Sequence, residues 1–173
     1  NVTTPAENIA RQENFYDQND RLILTGHATI KFSKNLNFKS TATMDRTWTF
    51  NYQFLDPIKT AEGRTQHGAA NTTRADNRVI VLDNILTYKN NFGRHSLEAM
   101  AGTSATLSHW ENLTGSRQYF SPDYDNILYG LNGGNSSGLR GNSQGLSEWS
   151  IMSYLGRIAY NYDSKYYLTV NMR

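Results

Sequence analysis

The chain has 173 residues, 38% hydrophobic and 18% charged, with a net charge of +2, no cysteine, and 19 asparagines among its many uncharged polar residues; a soluble domain usually carries about a quarter charged residues. The missing cysteine excludes a disulfide-stapled scaffold, a thiolate metal site and thiol catalysis. The small net charge, without any Lys/Arg run, excludes a nucleic-acid footprint or a polybasic lipid anchor, and no stretch approaches the roughly 18 apolar residues of a transmembrane helix.

Residues 1–19 show no convincing alternation, and Asn1 is preceded by neither an initiator methionine nor a signal-peptide pattern. From there on the dominant period is two, the mark of strands with one apolar and one polar face. Over residues 22–32, Leu22, Leu24, Ala28, Ile30 and Phe32 alternate with Thr25, His27, Thr29 and Lys31. After the polar link Ser33, Lys34, Asn35, the positions Leu36, Phe38, Ala42 and Met44 alternate with Asn37, Lys39, Thr43 and Asp45, which predicts a hairpin. A second hairpin is expected over about residues 78–107. Ile80, Leu82, Leu86 and Tyr88 lie on one face of its first arm, Asn90, Asn91, Phe92 and Gly93 form its turn, and Leu97, Ala99 and Ala101 mark its return. The third is the clearest. Met152, Tyr154, Ile158, Tyr160 and Tyr162 oppose Ser153, Arg157 and Asn161; after a turn at Asp163 and Ser164, Tyr166, Leu168, Val170 and Met172 oppose Tyr167, Thr169, Asn171 and Arg173.

Six strands of this length match the roughly 9–11 residues that cross a bilayer at a tilt. The links inside the hairpins are short, whereas those at about residues 49–77 and 108–148 are long and polar, the asymmetry of outer-membrane barrels whose long loops are extracellular. Trp48, Trp110 and Trp149 fall where strands are expected to meet the long loops, and Phe32, Tyr88, Phe92, Tyr160, Tyr162, Tyr166 and Tyr167 lie near the short turns. These make two aromatic belts, although aromatics also favour strands generally. In such a barrel the apolar face meets lipid, and His27, Lys31, Lys39, Asp45, Glu98, Arg157 and Arg173 line a wet interior. A soluble sandwich would instead turn those charges to solvent. Within the second long loop, Ser121 as cap, Pro122 at the first turn and Tyr124, Ile127, Leu128 and Leu131 at helical spacing predict one short helix.

Catalytic patterns are missing. His27, His67, His95 and His109 lack metal-ligand spacing, the glycine-rich stretch at residues 130–134 lacks the Lys-Ser/Thr of a phosphate loop, and no serine sits in G-x-S-x-G. Asp123 and Asp125 at a helix start complement its dipole better than they form an acid/base pair. The N-x-S/T triplets at Asn1, Asn71, Asn112 and Asn135 are expected by chance in so Asn-rich a chain. The reading is therefore of a non-enzyme without cofactor or metal.

The run Ser153, Tyr154, Leu155, Gly156, Arg157, Ile158, Ala159, Tyr160, followed by Lys165, Tyr166, Tyr167, Leu168, Thr169 and the terminal Arg173, resembles a segment of the SusC/RagA-type TonB-dependent outer-membrane transporters of Bacteroidetes. Tyr88, residues 91–93, His95, Leu97 and Gly102 are similar to the family's preceding hairpin, so the likeness extends over residues 20–173. It implies an all-β fold, an antiparallel transmembrane barrel segment of six strands from a barrel of about 22. It further implies import of oligosaccharides or peptides, energy from TonB through regions not in this chain, a SusD-like surface lipoprotein as partner and an outer-membrane location. Residues 1–173 then form part of one barrel domain without its plug, ordered with the remaining strands that close its edges. The aromatics Trp110, Tyr119 and Tyr124 are the candidates for stacking on substrate. A complete eight-stranded outer-membrane barrel of structural or adhesive role, and a soluble carbohydrate-binding β-sandwich, are the competing readings; the first lacks two strands.

Overall fold

The structure, a computed structural model, describes residues 4–13, 15–121, 130–134 and 140–173. Six strands form one antiparallel sheet in sequence order: β1 (Phe15–Lys31), β2 (Leu36–Leu55), β3 (Ala69–Phe92), β4 (His95–Gln118), β5 (Arg140–Tyr162) and β6 (Tyr166–Met172). Two helices, α1 (Pro5–Glu13) and α2 (Ala61–Gln66), complete the described elements. The sheet is open, with β1 and β6 as its edges.

The three hairpins expected from alternation are present, but the strands run much further. β3 and β4 each have 24 residues and β5 has 23, so about half of what was expected to be loop at 49–77 and 108–148 is strand. Trp48, Trp110 and Trp149 accordingly lie inside β2, β4 and β5 rather than at strand ends. The expected loop helix lies outside the described residues. α1, which the sequence reading missed, begins at a reciprocal capping box: Glu7 N–H donates to Thr4 Oγ1 at 3.3 Å and Thr4 N–H to Glu7 Oε2 at 3.1 Å. α2 starts at Thr60, whose buried hydroxyl oxygen accepts the Gly63 N–H at 3.0 Å and donates to the Asp56 carbonyl.

The short turns follow from local chemistry. Asp163 and Ser164 both have positive φ, and Lys165 N–H donates to Tyr162 O at 3.0 Å, a tight turn centred on them within the three-residue link between paired Tyr162 and Tyr166. Gly93, at φ 60°, serves the turn between β3 and β4. Backbone bonds also tie the turns to their neighbours, from Lys89 N–H of β3 to Asn35 O and from Asp163 N–H to Arg94 O, each 2.8 Å.

The residues group into two compact units, each described by itself. One comprises Leu22–Arg46, Arg78–His109 and Glu148–Arg173. Its register is fixed at β5–β6, where Ile158 opposes Val170 and Tyr160 opposes Leu168, while Arg157 opposes Asn171 and Ala159 opposes Thr169. Opposed residues share a face, so one face of this hairpin is apolar and the other polar. The apolar face is uncovered: Leu168 is 62% exposed, Val170 55% and Ile158 55%, and Leu24, Ile30, Leu82 and Leu86 are exposed as well. On the alternate positions, Thr25 and Thr43 hydroxyls pair at 3.2 Å and Lys89 bonds Glu98 at 3.1 Å.

The other unit comprises Asn1–Arg21, Thr47–Asn77 and Trp110–Ser147. It holds the core found among the described residues, Tyr52, Phe54, Ala70 and Phe120, with Phe50 and Leu131 packed against it. Phe54 and Phe120 meet edge to face at 5.1 Å. Gly63 is required beneath this region, because a Cβ there would stand 2.0 Å from the Asp56 carbonyl oxygen.

Candidate functional site

Strand alternation gives the second unit two chemically different faces. One carries Trp48, Phe50, Tyr52 and Phe54 of β2, Arg74 and Asp76 of β3, and Glu111 and Leu113 of β4. Contacts confirm the grouping: the Arg74 guanidinium lies 4.4 Å from the Phe50 ring centroid, and Tyr16 packs on Phe50 at 5.5 Å. A cavity of about 550 Å³ opens there, lined by Gln18, Asp20, Trp48, Phe50, Arg74 and Asp76.

The opposite face is built differently. β2 presents Thr47, Thr49, Asn51, Gln53 and Leu55; β3 presents Ala69, Asn71, Thr73, Ala75 and Asn77. β4 presents Trp110, Asn112, Thr114, Ser116 and Gln118, and β5 presents Gly141, Ser143, Gly145 and Ser147. Cross-strand bonds knit these positions together. Thr49 Oγ1 donates to Asn19 Oδ1 at 2.8 Å, and the Thr73 and Thr114 hydroxyls pair at 3.1 Å. Asn112 Oδ1 accepts Gly145 N–H at 2.7 Å, and Gln118 Nε2 donates to Gln66 Oε1 at 3.0 Å. None of the nineteen side chains named on β2 to β5 is ionisable; charge on this face enters only along β1, at Asp17 and Arg21. A cavity of about 250 Å³ near its far end is lined by Gln53, Gln66, Asn71, Ser116 and Gln118, with Arg117 as its one charged lining residue.

Trp110 is the aromatic of this face. A Cβ on Gly145 would lie 3.0 and 3.2 Å from Trp110 Cζ3 and Cη2, so the indole lies across the bare backbone of β5 only because residue 145 is glycine. The ring is 38% exposed. Tyr119 is placed elsewhere, just beyond β4, where φ is 63° and its ring stacks on His67 at 4.9 Å and 4°. Tyr119 N–H donates to Gly68 O at 3.0 Å, and Phe120 N–H to His67 O at 2.8 Å. Along extended chain the two candidates stand roughly 30 Å apart, so they do not form a single site. Tyr124 lies outside the described residues, as do Asp123 and Asp125.

Sequence reasoning missed Asn112, Gly145 and the Thr73–Thr114 pair. It met Asn71 and Asn112 only as N-x-T triplets, and the usable signal was the alternation of uncharged polar residues with charged ones through 71–77 and 111–117. Among the described residues no three His, Asp or Glu side chains gather as a metal site would require.

No family model and no curated protein matches the sequence. Solved structures do match in fold. The chain is similar to the RagAB peptide transporter at TM-score 0.80 and 19% identity. It is also similar to the RagAB peptide importer in a "closed-closed" state, at 0.80 and 20%, and in an "open-open" state, at 0.78 and 19%. Each match covers 91% of this chain and 17% of the solved chain, so this chain spans less than a fifth of their length. The fold is therefore that of an unclosed, six-stranded antiparallel sheet, similar to the stretch of those solved chains that it matches.

Proposed function

We propose that the chain forms wall strands and external loops of a TonB-dependent outer-membrane importer of the SusC/RagA type, taking up oligosaccharides or peptides and working with a SusD-like surface lipoprotein. The observation that carries this reading is the exposed apolar face of a single open sheet. A soluble sandwich would cover that face with a second sheet about 10 Å away, and no second sheet is present among the described residues. Total exposed area points the same way: 12078 Å², against roughly 8,600 Å² for a monomer of 19.6 kDa. Lipid on one face and neighbouring strands at both edges account for that surplus. The stretches 22–31 and 36–46 have the length of a tilted membrane strand, with the polar positions Thr25, His27, Lys39 and Thr43 turned to the barrel interior. The stretches at about residues 49–77 and 108–148 are then extracellular, where cargo is first met.

Because the chain contains no cysteine, single introduced thiols test the orientation. In the whole transporter, Lys59→Cys is expected to react with a membrane-impermeant maleimide on intact cells. Lys34→Cys and Lys165→Cys, at the short turns, react only after the outer membrane is permeabilised. The reverse pattern, or labelling of all three on intact cells, would refute the placement.

A further inference from the structure

We infer that the uncharged face spanning β2 to β5 in the Trp110 unit selects electrically neutral, hydroxyl-rich cargo, an uncharged saccharide chain in preference to a peptide or an acidic glycan. The inference rests on the proposed function, since Thr47, Thr49 and Asn51 continue along β2 the parity of Lys39 and Thr43, the positions that the proposal turns to the barrel interior. Its composition carries the assignment. Amides and hydroxyls offer a donor and an acceptor at nearly every position, which matches sugar hydroxyls, themselves both donors and acceptors. A peptide brings charged termini and charged side chains, and an acidic glycan brings carboxylates or sulfates. Each such group would be partly desolvated against β2 to β5, where this face offers no counter-charge and the nearest lie along β1 at Asp17 and Arg21, and that is unfavourable.

The second element is the way Trp110 is mounted. Its indole lies on Gly145, while Asn112, two residues along β4, holds the β5 backbone in place through the bond to Gly145 N–H. One side of the ring thus lies against backbone, while the residue as a whole keeps 38% of its surface exposed. A pyranose presents an apolar C–H face that stacks on such a π-surface, with its equatorial hydroxyls directed sideways toward neighbouring polar groups. The Thr73–Thr114 pair lies on the same face to receive them. The charged side chains of this unit on β2 to β5, Arg74, Asp76, Glu111, Arg117 and Arg140, occupy the alternate positions of their strands. A general polar surface would have no reason to sort charge by strand parity. The matched structures carry peptides by name; the face described here argues for a different cargo.

The test uses the whole transporter, purified from the outer membrane and titrated calorimetrically with three groups of probes. These are hydrolysates of neutral glycans (starch, xylan, mannan, inulin), hydrolysates of acidic glycans (polygalacturonate, chondroitin sulfate) and a tryptic peptide mixture. A neutral glycan is expected to bind most tightly, with less than about a twofold change in Kd between low and high salt, since no ion pair is screened. Trp110→Ala should weaken that binding about tenfold, whereas Trp110→Phe, which keeps a stacking face, should stay within about threefold of wild type. Tighter binding of an acidic glycan or of peptides, binding of no neutral glycan, or an unaffected Trp110→Ala would overturn the inference. Absence of the protein from the outer-membrane fraction would instead overturn the proposed function, so the two failures are distinguishable.

Discussion

Leu168→Arg should impair barrel stability far more than Thr169→Arg, its immediate neighbour. The two positions are opposed by Tyr160 and Ala159 respectively, so their side chains leave opposite faces of the β5–β6 hairpin. Leu168 belongs to the apolar set with Ile158 and Val170. An arginine facing lipid near the bilayer midplane costs about 2–4 kcal/mol, a large share of a net stability of about 5–15 kcal/mol. Thr169 shares its face with Arg157 and Asn171, where a further charge has water and hydrogen-bonding partners. The measurement is reversible unfolding of the whole barrel in phospholipid vesicles, read by gel mobility. Equal destabilisation by both substitutions would contradict the assignment of faces.

Phe54→Ala is expected to have the second largest effect, and to confine it to the unit that holds α2. Phe54 is 3% exposed, edge-on to Phe120 and packed with Tyr52 and Ala70. Truncating a buried phenylalanine costs about 3–5 kcal/mol, through lost transfer energy and the cavity left behind. Because none of the core residues belongs to the apolar membrane hairpins, insertion into the outer membrane should be unchanged. Trypsin added to intact cells should cut faster at Lys59 or Arg64, which flank and occupy α2. Unaltered proteolysis together with lost insertion would show that the core supports the wall and not the external unit.

The membrane hairpins were legible in the sequence because lipid on one side and water on the other impose a two-residue period. Leu168 to Met172 display it without interruption, and Leu22 to Lys31 with Ile23 and Gly26 as the exceptions. The extensions were not legible for a physical reason. Through residues 71–77 of β3 both faces are polar, Asn71, Thr73 and Asn77 against Thr72, Arg74 and Asp76, so no contrast in hydropathy marks a strand. In β2 the contrast does exist, Trp48, Phe50, Tyr52 and Phe54 against Thr49, Asn51 and Gln53, but placing Trp48 at the membrane limit ended the strand too early. α1 was announced by Thr4, Pro5 and Glu7, a capping box with proline at the first turn, and passed over because the surrounding residues lack an apolar stripe. Of the candidate site, composition pointed to Trp110. What gives that residue its geometry, the bare backbone at Gly145 and the side-chain bond from Asn112, depends on strand register, which sequence alone did not supply.

Spin labels placed one at a time along residues 151–162 of β5, in the whole transporter reconstituted in bilayers, test the central claim most directly. Collision rates with oxygen, concentrated in lipid, and with a water-soluble nickel chelate should alternate with period two. Labels at Met152, Tyr154, Ile158 and Tyr160 should favour oxygen, and those at Ser153, Arg157, Ala159 and Asn161 should favour the chelate. A uniform profile, or the inverse alternation with the chelate reaching Ile158, would contradict a wall that is apolar toward lipid and polar toward its interior.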